Sequence, residues 1–183
     1  LDITNNSTFS TTERDGLEAN SAGTGGSTIH HSGSGTISVI NGNAAHVRTS
    51  GTGNGKIIFD GTTRANLITS GDAHHGLSAS TATGIARIDS NATIQTSGIG
   101  SNGMQTSTGS GAILMTNRGT ITATGSSSKG IFASSTSGNI DITNAGNITT
   151  SGSTGIGIHA LTTSGQVTIN DLTNKTITSG GRG

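Results

Sequence analysis

One pattern, a glycine followed two and four residues later by apolar residues, occurs six times along the chain. The copies are Gly35-Ile37-Val39, Gly55-Ile57-Phe59, Gly84-Ala86-Ile88, Gly111-Ile113-Met115, Gly138-Ile140-Ile142 and Gly165-Val167-Ile169, and the last four stand 27 residues apart. Two further signals keep that step. Leu67, Ile94, Ile121 and Ile148 are each followed four residues on by Gly71, Gly98, Gly125 and Gly152, and the pair glycine-apolar recurs at Gly76-Leu77, Gly103-Met104, Gly130-Ile131 and Gly157-Ile158. Three features sharing one period mean stacked copies of a single supersecondary unit. The earlier copies are looser: Gly35 to Gly55 is only 20 residues, which predicts a shortened strand or turn in that coil.

Within each 27-residue unit, three short segments alternate apolar and polar residues between turns of Gly, Ser, Asn and Thr. In the unit that begins at Gly138, Ile140 and Ile142 point inward and Asp141 outward; Asn144-Ala145-Gly146 turns the corner. Ile148 and Thr150 then face in, and a third segment buries Ile158 and Ala160 while exposing His159. The expected fold is all-β: a parallel β-helix (solenoid) with three short strands per coil of about 27 residues and six to seven coils. At about 4.8 Å per coil it would be a rod on the order of 30 Å long. Its inward columns would be Ala86, Ile113, Ile140, Val167; Ile88, Met115, Ile142, Ile169; and Leu67, Ile94, Ile121, Ile148, with a polar ladder Ser90, Asn117, Asn144, Asp171 at the first corner. Residues 1–183 read as one segment, less regular over 1–54 and regular over 55–180, with both ends cut through a longer solenoid. Two extra residues between Ile169 and Ile177 predict a bulge at the Asp171–Lys175 corner.

Composition narrows the function. The chain is 28% hydrophobic, 10% charged and formally neutral. Low hydrophobicity with high net charge would mean disorder, but here the charge is zero and the apolar residues keep phase, as a solenoid needs only a few inward side chains per coil. Neutrality and 2% aromatic residues exclude the basic face and stacking platform of a nucleic-acid binder. No cysteine is present, so there is no disulfide and no thiolate metal site. No apolar run nears the roughly 18 residues of a membrane helix, so no membrane insertion by this segment is expected.

The stretch Ile142-Thr143-Asn144-Ala145-Gly146-Asn147-Ile148-Thr149-Thr150-Ser151-Gly152, followed by Gly157-Ile158-His159-Ala160, resembles the passenger repeats of bacterial autotransporters, the type V secretion proteins. Related stretches run over 115–125 and 88–98, and the resemblance covers roughly 55–180. It implies a right-handed parallel β-helix, exported across the outer membrane and displayed on the bacterial cell surface or secreted. The implied role is adhesion to a host-cell surface protein or extracellular matrix, or self-association. The alternative it implies is a released passenger that signals as a soluble ligand through a host-cell receptor.

Enzymatic chemistry has little to stand on in the sequence. Polysaccharide lyases and hydrolases on this architecture group carboxylates with a basic residue. Asp60 and Asp89 read as equivalent corner positions with Arg87 nearby, but the next equivalents are Thr116, Thr143 and Asn170, so they read as a corner salt bridge and no catalytic residue is assigned. The histidines, His30-His31, His46, His74-His75 and His159, read as solvent-facing turn residues; no metal site and no cofactor are expected. Thr122-x-Thr124 and Thr149-x-Ser151 form an outward array of the kind that binds ice, broken by Gln95 and Ile68. Outward apolar residues are the better clue: Ile58 and Leu114 on the first strand, Phe132 on the third. Phe132, Lys129, His159 and Leu114 are the candidate partner-binding residues.

Overall fold

A computed structural model describes residues 2–5, 7–172 and 175–180. Among them every regular element is a strand, and the strands form three sheets of seven, seven and six, all paired in parallel. Each coil contributes one strand to each sheet, for example Ile113–Asn117, Thr120–Ala123 and Lys129–Ser135. Strands this short bury too little to stand alone; their backbone groups are satisfied by the coils on either side. Among the described residues no helix is long and apolar enough to cross a membrane.

The inward columns form as the period requires. Ala86 pairs with Ile113, Ile113 with Ile140 and Ile140 with Val167, while Ile88, Met115, Ile142 and Ile169 make the next file. Leu67, Ile94, Ile121, Ile148 and Ile177 stack on the second sheet, and Leu77, Met104, Ile131 and Ile158 on the third. From Ile29 through Ile148 these aliphatic side chains are fully buried. β-Branched residues suit such a surface because their restricted rotamers lie flat against the pleat.

The two apparently separate signals, apolar residue and glycine pair, are one contact. A Cβ on Gly76, Gly103, Gly130 or Gly157 would overlap the Cγ2 methyl of Ile94, Ile121, Ile148 or Ile177, respectively. Each third-sheet glycine is thus the notch that admits the second-sheet isoleucine of the next coil. Gly130→Ala is expected to destabilise the protein by about 1–3 kcal/mol, as overpacked cores do. In a urea double-mutant cycle, adding Ile148→Ala should cost clearly less in the Gly130→Ala background than alone; strict additivity would refute the notch.

Two expectations are corrected. Gly35-Ile37-Val39 is not a first-sheet copy of the repeat: Ile37 pairs with Leu67 and Val39 with Thr69 on the second sheet. No coil is shortened between Gly35 and Gly55. The first-sheet step instead lengthens, 28 residues from Ile29 to Ile57 and 31 from Ile57 to Ile88. The surplus of the longer coil lies in its first corner, with eight residues from Phe59 to Leu67 against four from Ser90 to Ile94. At the other end Ile177 pairs with Ile148, but residues 173–174 of the Asp171–Lys175 corner lie outside the described residues.

The first corner is lined by one column with two chemistries. Asn117 donates from Nδ2 to Asn144 Oδ1 at 2.8 Å, and Asn144 Nδ2 donates to Asp171 Oδ1 at 2.8 Å and to Gly146 O at 2.9 Å. Ser90 holds the same position, but its hydroxyl accepts the Ala92 N–H of its own corner. One coil further down the column turns aromatic, Phe59 stacking on His31 with centroids 4.9 Å apart and planes 16° off parallel.

Candidate functional site

The outward face of the third sheet carries most of the chemistry. Its central file reads Glu18, His46, Ser78, Gln105, Phe132, His159 in neighbouring strands. Period-two alternation points these side chains outward because Leu17, Ala45, Leu77, Met104 and Ile131 point into the core; among them Ser78 is nonetheless buried. Phe132 and His159 meet with ring centroids 5.5 Å apart at a 50° tilt. Lys129 Nζ stands 5.7 Å from the Phe132 centroid and donates to the Ser127 carbonyl at 2.9 Å. A cation over an aromatic face at such a site contributes about 0.5–1 kcal/mol. Phe132, Lys129 and His159 are half-buried, and Ile156 and Leu161 beside them are 39% and 46% exposed. The His159 Nδ1 is buried without a hydrogen-bond partner among the described residues.

Three of the four candidate binding residues therefore come together. Leu114 does not join them. It lies on the first sheet between Arg87 and Asp141, in a cleft of about 210 Å³ that it lines with Asn54, Lys56, Ile85 and Arg87.

At the other end of the same face lies a cluster that the sequence did not point to. Asp15 Oδ2 is 2.9 Å from His46 Nδ1, and Glu18 is the strand neighbour of His46. Asp15 Oδ1 accepts both the backbone N–H of Asn43, at 2.6 Å, and its side-chain N–H, at 2.8 Å. Burial works against ionisation of Asp15, yet the hydrogen bonds and charge of His46 and Asn43 outweigh it and hold the carboxyl below its ordinary range. Aligning Leu17 with Ala45 would have revealed the cluster, but residues 1–34 keep too weak a phase to fix that register unaided.

Asp15 also begins a ladder at the entry to the third sheet. Asn43 N–H donates to Asp15 Oδ1, His75 N–H to Asn43 Oδ1 at 2.7 Å, Asn102 N–H to His75 Nδ1 at 3.0 Å and Lys129 N–H to Asn102 Oδ1 at 2.8 Å. Each coil's side chain thus receives the backbone of the next. Burial pushes the His75 imidazole down to about 4, with His74, His46 and Lys129 adding positive field and Asp15 partly opposing it.

The expected Asp60–Asp89 column does not form. Asp89 is the neighbour of Ile58, while the longer corner sends Asp60 to His30 Nε2 at 2.7 Å. Asp89 sits between Arg87, at 3.1 Å, and Arg118. The two carboxylates are thus on different partners, Asp60 on the His30 imidazole and Asp89 between two guanidinium groups, and do not frame a shared substrate position. His30 and His31 face opposite sides of the sheet as alternation demands, His31 inside. On the second sheet Thr122, Thr149 and Thr178 align outward, with Gln95 and Ile68 completing the file.

Comparison with protein-family models, with curated proteins and with solved structures finds no match. The class of the protein is set by its coordinates: a three-sheet parallel β-solenoid.

Proposed function

We propose that the chain is a non-enzymatic binding rod of an exported or cell-surface protein of the autotransporter-passenger type. Its third-sheet face would engage a host-cell surface protein, an extracellular matrix protein or another copy of itself. The observation behind this reading is the Lys129–Phe132–His159 cluster. In a chain with 2% aromatic residues, a phenylalanine stands outward between Gln105 and His159 with a lysine over its ring and exposed Ile156 and Leu161 at its sides. Aromatic anchors flanked by a cation and aliphatic side chains are the usual centres of binding energy in protein interfaces. A solenoid also offers a rigid platform, since each outward side chain is fixed by the register of its strand.

The test is attachment of the purified chain to cultured cells and to matrix-coated surfaces. Replacing Phe132, Lys129 and His159 together by alanine should lower attachment at least about tenfold, the effect of losing one hot-spot residue or more. Leu114→Ala should leave it unchanged. Equal attachment by the triple variant and the parent chain would overturn the reading.

A further inference from the structure

Asp15, Glu18 and His46 each offer a ligand atom within 4.8 Å of the other two. Glu18 and His46 are side by side on adjacent strands, and Asp15 enters from the turn before Leu17. The Asp15 carboxylate is held at one end: Oδ1 accepts two N–H groups of Asn43, leaving Oδ2 aimed at His46 Nδ1. Asn43 is itself fixed, because its Oδ1 receives the His75 backbone N–H. Hydrogen bonds from two successive coils therefore orient one carboxylate oxygen toward an imidazole, which is what outer-shell partners do for metal ligands.

A structural ion pair accounts for Asp15 and His46; Glu18 lies outside it, its Oε1 accepting the side-chain N–H of Asn20 at 2.5 Å. Its carboxylate stands within reach of both, and none of the ion pairs among the described residues includes it. Two carboxylates against one imidazole leave excess negative charge at one point, which a divalent ion would neutralise. We propose that Asp15, Glu18 and His46 bind one divalent transition-metal ion of the zinc type, through one imidazole nitrogen and two carboxylate oxygens, with water completing the shell. A nitrogen-oxygen donor set of this kind favours zinc and its neighbours, whereas calcium wants about six to eight oxygens. With metal–ligand bonds of about 2.0–2.2 Å, tetrahedral ligand atoms stand about 3.4 Å apart. An ion would therefore part Asp15 Oδ2 and His46 Nδ1, which are 2.9 Å apart, while the exposed Glu18 exchanges its bond to Asn20 for the metal. The ion would bridge two coils, since Asp15 and Glu18 belong to one and His46 to the next.

Calorimetric titration of the whole chain with zinc chloride tests the site. The expected result is one equivalent bound in the micromolar range, with the affinity lowered at least about tenfold in each of Asp15→Asn, Glu18→Gln and His46→Gln. Glu18 is exposed, so Glu18→Gln reports on binding even if the other two variants fold poorly. His30→Gln, which alters the other histidine–carboxylate pair, should bind as the parent does. No heat of binding at millimolar zinc, or an affinity that Glu18→Gln leaves intact, overturns the proposal. The binding role proposed for Phe132 rests on different residues and stands or falls separately.

Discussion

Asn144→Ala is expected to destabilise the solenoid by about 3–5 kcal/mol, more than any surface change in the same coil. Asn144 is fully buried. Its Oδ1 accepts from Asn117, and its Nδ2 serves both Gly146 O and Asp171. Alanine removes all of these and leaves the Asn117 amide, itself fully buried, and the buried Gly146 carbonyl without those partners among the described residues. A buried polar group left unsatisfied costs about 1–3 kcal/mol, and at least two are created. The exposed Asp171 recovers its bond from water and adds little. Urea unfolding followed by circular dichroism measures the loss, with Asp141→Ser, outward and exposed in the same strand, as the control expected to fall within about 0.5 kcal/mol of the parent. A loss below about 1 kcal/mol for Asn144→Ala would mean that the ladder is incidental to stability.

The same comparison shows what a sequence of this kind reveals. Where the coils are 27 residues, identical side chains recur at identical places, so the files of Ile113, Ile140 and Val167 and of Asn117 and Asn144 are legible without coordinates. Where a function is served by different side chains, period alone is blind. The ladder at the third sheet uses a carboxylate at Asp15, amides at Asn43 and Asn102 and an imidazole at His75 for the same task of accepting a backbone N–H. Glycine-apolar spacing is also ambiguous between sheets, because every strand of the solenoid alternates and begins at a turn. That ambiguity is why Ile37 and Val39 belong beside Leu67 and Thr69 instead of Ile57 and Phe59. The extra residues in the corner after Phe59 have the further effect of sending Asp60 away from the Asp89 file and to His30. Alternation and period sufficed to place Phe132, Lys129 and His159 together on the third strand and Leu114 on the first, a different side of the rod.

Acid should loosen the protein well before its carboxylates are protonated, and His75 is the reason. Its Nδ1 accepts the Asn102 N–H, so the native imidazole is neutral, with its proton on Nε2. Burial, with smaller contributions from the positive field of nearby groups, depresses its pKa from 6.5 to about 4. The unfolded chain therefore takes up a proton at higher pH than the folded one. Stability from this group is fully present above about pH 6.5 and is lost progressively as pH falls toward about 4, in total on the order of 3 kcal/mol. Protonation would also convert the acceptor into a donor facing the Asn102 N–H, breaking the ladder at its centre. His75→Asn supplies the same acceptor that Asn43 and Asn102 already provide, without a titrating ring. The measurement is the urea midpoint of both chains across this range: the difference between them should be small at neutral pH and grow in favour of His75→Asn as the pH falls. Parallel curves would show that acid acts elsewhere, since the remaining histidines and carboxylates are common to both chains and cancel in the difference.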